Sequence, residues 1–158
     1  IGKCLGLTAT TILVTLISTC ALFVILYIQS GQIYAKPILL SVFLSTLEAV
    51  ILILISILFS GITSPILAAV TTLAFFFVGH AGEIFRYIFM TTKSTVIELL
   101  MRGLYYILPN LEKFNIRNDI IYGTLPNFSM IMVTLLYACS YILLLLVITQ
   151  ITFKKKDF

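Results

Sequence analysis

The sequence has little charge. Only 10% of its 158 residues are Asp, Glu, Lys or Arg and 61% are apolar, whereas a soluble domain carries about 25% charged residues. So few polar side chains cannot cover a compact particle in water, and the mean hydropathy of +1.17 agrees with this. The composition therefore excludes a water-soluble globular domain and predicts a protein whose main solvent is lipid.

The sequence also lacks the motifs of several enzyme classes. It contains no Gly-x-x-x-x-Gly-Lys-Ser/Thr phosphate loop and no His-Glu-x-x-His zinc motif, and its single histidine is His80. An intramembrane protease needs an aspartate pair, or a serine with a basic partner, within its spans, and neither pattern is present. We therefore expect no catalysis by this chain and no cofactor or metal bound to it.

The sequence also has few cysteines and only a small net charge. The three cysteines lie in or beside apolar runs and are interpreted as small apolar residues, not as a disulfide framework. The net charge of +4 comes largely from lysines at the ends of apolar runs. Such lysines suit anionic lipid headgroups, so we expect the lipid bilayer as a partner and no nucleic acid.

Four apolar runs predict an all-α membrane protein with four transmembrane helices. The first run is uncharged from Leu5 to Gln29, and as a helix it is about 37 Å long against a hydrocarbon core of about 30 Å. It is too long for the apolar core of a signal peptide. The third run, about 25 Å long as a helix, could continue through Glu83 and Arg86. The predicted spans are residues 5–29, 38–60, 64–82 and 128–153, with a tight turn at 61–65 between the second and third.

The polar region at 83–127 has the pattern of an amphipathic helix. Thr95 and Glu98 form a capping-box pattern, Glu98 and Arg102 are four residues apart in the favourable order, and Pro109 ends the helix. A helix of this kind lies in the membrane interface or enters the membrane and returns. We therefore predict an amphipathic re-entrant or interfacial segment before the last span.

Five polar side chains are candidate pathway or structural residues. Glu48 lies near the middle of the second span, where a carboxylate costs at least a few kcal/mol and usually faces protein or water. In a functional role Glu48 would exchange a proton or bind substrate. In a structural role it would form a hydrogen bond with a hydroxyl group of a neighbouring helix. His80 and Glu83 are three residues apart and form either half of a metal or proton site or polar groups at the membrane boundary. Tyr137 and Tyr141 form a polar stripe on the last span that lines a pathway or packs inside the bundle.

Several short segments together resemble one family of membrane proteins. They are Gly-Lys-Cys-Leu-Gly at 2–6, Phe-Ser-Gly at 59–61, Thr-Ser-Pro-Ile-Leu at 63–67, Val-Gly-His at 78–80, Leu-Pro-Asn-Leu-Glu-Lys-Phe-Asn at 108–115 and the basic tail at 153–158. In order and spacing the chain resembles the C-terminal two-thirds of the six-span permease subunit of ABC exporters of the second membrane-domain class, the nitrous-oxide-reductase maturation type of permease. The segment at 108–115 is the most specific match.

The resemblance implies a fold, a location and partners. The chain would supply the last four of six spans, with short re-entrant helices on the outer side before the last one. Both ends would be cytoplasmic in a bacterial plasma membrane, which agrees with the positive-inside rule applied to Lys3 and the lysines at 154–156. Two permease subunits would pair as a homo- or heterodimer and dock a separate ATPase subunit that binds ATP and Mg. The helix that docks the ATPase would precede Gly2, so we expect the sequence to be a fragment.

Two other functions remain open from the residues alone. One is a non-transporting membrane anchor or assembly protein that docks a partner through 83–127. The other is a proton-coupled secondary carrier that uses Glu48.

Overall fold

The computed structural model describes residues 2–30, 35–116, 119 and 126–154. These residues contain helices and no strands, so the predicted all-α class is confirmed for them. The helices are α1 (Gly2–Ser30), α2 (Ala35–Ile62), α3 (Pro65–His80), α4 (Gly82–Thr91), α5 (Thr95–Ile107), a 3-10 helix (Leu111–Phe114) and α6 (Phe128–Lys154).

Among the described residues, three helices are long and apolar enough to cross a membrane: α1, α2 and α6. A fourth crossing is present if α3 and α4, which are bent by 55° relative to each other, are counted as one broken span. The first, second and fourth predicted spans are therefore confirmed as long apolar helices. The option of a continuous helix through Glu83 and Arg86 is wrong, because α3 ends at His80 and the chain bends at Ala81.

The turn between α2 and α3 is short for local reasons. Ser64 is the N-cap of α3, and its hydroxyl accepts a hydrogen bond from the Leu67 N–H at 3.5 Å. Pro65 follows at the first helical position, where its missing N–H costs no helical hydrogen bond. The predicted tight turn at 61–65 is confirmed.

The centre of the fold is α2. It contacts α1, α3, α6 and the 3-10 helix, and Ile51 on it is completely buried. Its buried face packs against α6 and also against the segment at residues 111–116, which precedes α6 in the sequence. The core consists of Leu44, Ile51, Leu54 and Ile55 from α2, Leu111, Phe114 and Ile116 from the segment, and Ala138 and Leu145 from α6.

Helices α4 and α5 are amphipathic, as predicted for this region, and they pack against each other, which the sequence did not predict. The ring of Phe89 meets the ring of Tyr105 at 5.7 Å, and the predicted Glu98–Arg102 ion pair forms at 3.7 Å. The capping-box prediction was wrong. Thr95 is the first helical residue, and the N-cap is Ser94, whose side chain makes no capping hydrogen bond.

The second half of the predicted interfacial segment departs most from expectation. We call residues 108–116 the strap; it begins at the end of α5 and contains the 3-10 helix. Its residues Pro109, Asn110, Leu111, Phe114 and Ile116 are buried. One side of the strap is therefore packed inside the protein, while Lys113 stays exposed. Residues 117, 118 and 120–125 of the predicted segment lie outside the described residues.

Candidate functional site

The candidate site is built around the break between α3 and α4. Ala81 links the two helices with φ −85° and ψ 9°, and its N–H donates to the carbonyl of Val78 at 3.1 Å. A break in an apolar helix exposes backbone groups that lipid cannot satisfy, so such breaks occur where protein or water covers them. Two polar groups on different helices approach this break, one on each side of Ala81.

On one side of the break, the structure pairs Glu48 with His80. The His80 Nε2 atom lies 3.5 Å from Glu48 Oε1, and the side chains are 26% and 14% exposed. The partner of Glu48 on α3 is thus an imidazole at the end of that helix. The sequence placed both residues among the candidates but did not predict their contact.

The hydrogen bonds of His80 constrain where its proton lies. Its Nδ1 atom is 3.0 Å from the carbonyl oxygen of Phe76, and a carbonyl only accepts, so Nδ1 carries a hydrogen. The Nε2 atom is then the ring nitrogen that faces Glu48. Pairing an imidazole with a carboxyl group lowers the cost of placing either one in an apolar region.

Glu83 does not belong to this pair. It lies in the first turn of α4, exposed, with its carboxylate 3.8 Å from Arg86. A negative charge there is stabilised by the positive end of the helix dipole. The structure thus places His80 beside Glu48 and Glu83 beside Arg86, and shows no contact between His80 and Glu83.

On the other side of the break, the strap lies against glycines. A Cβ atom added to Gly79 would be 2.6 Å from Cγ of Leu111 and 2.9 Å from the carbonyl oxygen of Pro109. At Gly82 it would be 2.9 Å from Nδ2 of Asn110. These approaches are possible only because both positions lack a side chain.

Tyrosines of α6 hold the strap from the opposite side. The backbone N–H of Asn110 donates to the Tyr137 hydroxyl at 2.8 Å, and the Tyr141 hydroxyl donates to the carbonyl of Ile107 at 3.1 Å. The Lys113 ammonium lies 4.5 Å from the centre of the Tyr137 ring, which is within cation–π range. The two predicted tyrosines therefore bond the strap and the end of α5.

The described residues contain no group of three or more His, Cys, Asp or Glu side chains that could hold a metal ion. The chemistry that this arrangement does offer is proton exchange at Glu48 and His80 and hydrogen bonding between α6 and the strap. Sequence reasoning missed Asn110, Gly79 and Gly82. The signal for them was the spacing of two glycines at the end of an apolar run, which permits close backbone approach.

The chain is thus an all-helical protein with the long apolar helices of a membrane-embedded protein. Comparison with known protein families, curated proteins and solved structures finds no match to any of them. The resemblance to exporter permeases therefore stays a prediction.

Proposed function

We propose that this chain is a membrane-spanning permease subunit of an ATP-driven ABC exporter in the bacterial plasma membrane. A second permease subunit shares the substrate pathway, and a separate ATPase subunit drives transport. The observation that carries this proposal is the order of elements before the last long helix: the broken pair α3 and α4, the short α5 and the buried strap, then α6. It corresponds to the short re-entrant helices that the resemblance implies before the last span.

The exposure of α1 supports a place for further protein. This helix packs mainly on α2, and Thr19 is its one buried residue among those whose side chains are described. Much of the rest of its surface is apolar and exposed, with Ile17 and Ile25 both more than half exposed. Such a surface can be covered by lipid or by the spans of a second subunit, and both contacts are available to a permease dimer in a membrane.

A groove between α1 and α2 supports a pathway. Its volume is about 470 Å³, within the range of about 300–1,000 Å³ that is typical of small-molecule sites. Hydroxyl groups from both helices, including Thr15, Ser18, Ser41 and Ser45, line an otherwise apolar wall. An apolar wall with scattered hydroxyls suits a substrate that is itself largely apolar.

The test is association with an ATPase. The natural full-length chain is co-expressed with an ATPase encoded beside it, purified in nanodiscs and assayed for ATP hydrolysis. We expect co-purification and a several-fold stimulation of hydrolysis. Ser45→Phe, which fills the groove, should reduce the stimulation while the subunits still co-purify. Ser60→Phe is the matched control, because Ser60 is exposed and bonds only its own helix at Ile57. Failure to associate with any ATPase would contradict the proposal.

The Glu48–His80 contact favours one second candidate, a proton-coupled secondary carrier. A carboxyl group beside an imidazole in an apolar region is an arrangement that can pass a proton, as a proton-coupling site must. Reconstituted chain would then move protons down a gradient without ATP, measured with a pH-sensitive dye inside the vesicles. Glu48→Gln should abolish this flux, whereas Glu83→Gln, which changes an exposed carboxylate, should not. Flux that requires ATP would exclude the carrier.

A further inference from the structure

The amide of Asn110 occupies an unusual position at the start of α4. Asn110 is 7% exposed, and its Oδ1 atom is buried with no hydrogen-bond partner among the described residues. A buried amide oxygen without a partner costs about 1–3 kcal/mol, and native structures contain few such atoms. We therefore expect a hydrogen-bond donor to lie beside this oxygen in the native protein.

A small void lies beside this oxygen. It has a volume of about 10 Å³ and is lined by both glycines of the break, Gly79 and Gly82, and by Tyr105, Pro109 and Asn110. A water molecule needs about 10–15 Å³ by this measure. The void therefore has room for one water-sized group and for nothing larger.

The start of α4 offers the matching donors. The first N–H groups of a helix have no partners within the helix, and the N-cap residue Ala81 supplies no side-chain hydrogen bond to them. Gly82, the first residue of α4, is the residue that the Asn110 amide touches. The unpaired amide oxygen of Asn110 and the first residue of α4 therefore meet at one void.

We propose that the void binds a single ordered water molecule that joins the strap to the start of α4. The water accepts a hydrogen bond from a first-turn N–H of α4 and donates to Asn110 Oδ1, with the Pro109 carbonyl as a second acceptor. Only a group that both donates and accepts satisfies this set. A bare anion would face the lone pairs of Oδ1, and a bare cation would face the positive end of α4.

The water completes a polar connection across the fold. The Tyr137 hydroxyl on α6 accepts the backbone N–H of Asn110, and the side chain of the same residue reaches α4 through the water. Ordered water is one of the ways in which a broken helix in an apolar region satisfies its freed backbone groups. The site is independent of whether the chain transports anything.

The direct test is a structure of the full-length chain at a resolution that shows ordered water. We expect a density peak at hydrogen-bond distance, about 2.7–3.2 Å, from Asn110 Oδ1 and from a first-turn nitrogen of α4. An empty void, or a direct bond from a protein donor to Oδ1, would overturn the proposal. The melting temperature should be the same in NaCl and in choline chloride. A higher melting temperature in NaCl would show that the void binds a sodium ion, which would also overturn the proposal.

A substitution gives a second readout. Asn110→Leu keeps the approximate shape and removes the acceptor, so a bridging water loses a partner. We expect the melting temperature to fall by about 2–4 °C, as for the loss of one hydrogen bond in a chain of this size. If the void is dry, the same change removes an unsatisfied oxygen, and the melting temperature would stay the same or rise. Leu99→Ala, a change on the exposed face of α5 where Leu99 is 72% exposed, is the control and should leave the melting temperature unchanged.

Discussion

Gly79→Ala and Gly103→Ala should change stability in opposite directions. Both are glycines within helices, α3 and α5. A methyl group at Gly103 would have no atom within 4 Å, whereas at Gly79 it would lie 2.6 Å from Leu111 Cγ and 2.9 Å from the Pro109 carbonyl oxygen. The same chemical change thus enters open space at one position and an occupied core at the other.

The magnitudes follow from these surroundings. At Gly103, alanine restricts the unfolded chain and improves helix propensity, and should stabilise by about 0.5–1 kcal/mol. At Gly79 the same gain is opposed by overpacking of about 1–3 kcal/mol. Leu111 is 0% exposed, so its side chain has no free space to move into, and the Pro109 contact is with backbone. We expect a net loss of up to about 2.5 kcal/mol from these two terms.

Thermal unfolding of the two variants in the same detergent, followed by circular dichroism, measures the difference. The melting temperature should rise for Gly103→Ala and fall for Gly79→Ala. Equal stabilisation by both variants would refute the contact between the strap and the end of α3. Equal destabilisation would refute the open surroundings of Gly103.

Three further changes probe the same region. Tyr137→Phe removes the hydroxyl that accepts the Asn110 N–H, and leaving this buried N–H without a partner should cost about 1–3 kcal/mol. Tyr141→Phe leaves only the more exposed Ile107 carbonyl without its partner and should cost less. Both losses are measured from the denaturant concentration at the midpoint of unfolding. Leu111→Ala should cost about 2–5 kcal/mol, and a loss below 1 kcal/mol would show that this residue is not in the core. A double-mutant cycle of Glu48→Gln and His80→Gln should give a coupling energy of about 0.5–3 kcal/mol, and additivity would show that the two side chains do not interact.

The long helices could be predicted from the sequence because apolar runs of this length have few alternatives. Lipid cannot satisfy backbone N–H and C=O groups, so a long apolar run forms a helix whatever its tertiary contacts. The turn at Ser64 and Pro65 was predictable for a similar reason, since its signals are local. The predicted bounds differ from those of α2 and α3 by only a few residues at each end.

The break at Ala81 and the burial of the strap could not be predicted, because both depend on contacts between distant parts of the chain. No proline marks the break. The strap contains Asn110, Glu112 and Lys113, a composition typical of surface loops, yet the first is buried against Gly82. The candidate residues themselves were found from their chemistry, but the pairing of Glu48 with His80 required the fold.

The two polar contacts of the candidate site have a common consequence for the break. His80 directly precedes Ala81 and is held by α2 through Glu48. Gly82 directly follows it and is covered by Asn110, which is held by α6 through Tyr137. The single residue between α3 and α4 is therefore connected to two long helices that also pack against each other. Because the strap also lies against Gly79 and packs on α2, contacts with both long helices together hold the angle between α3 and α4.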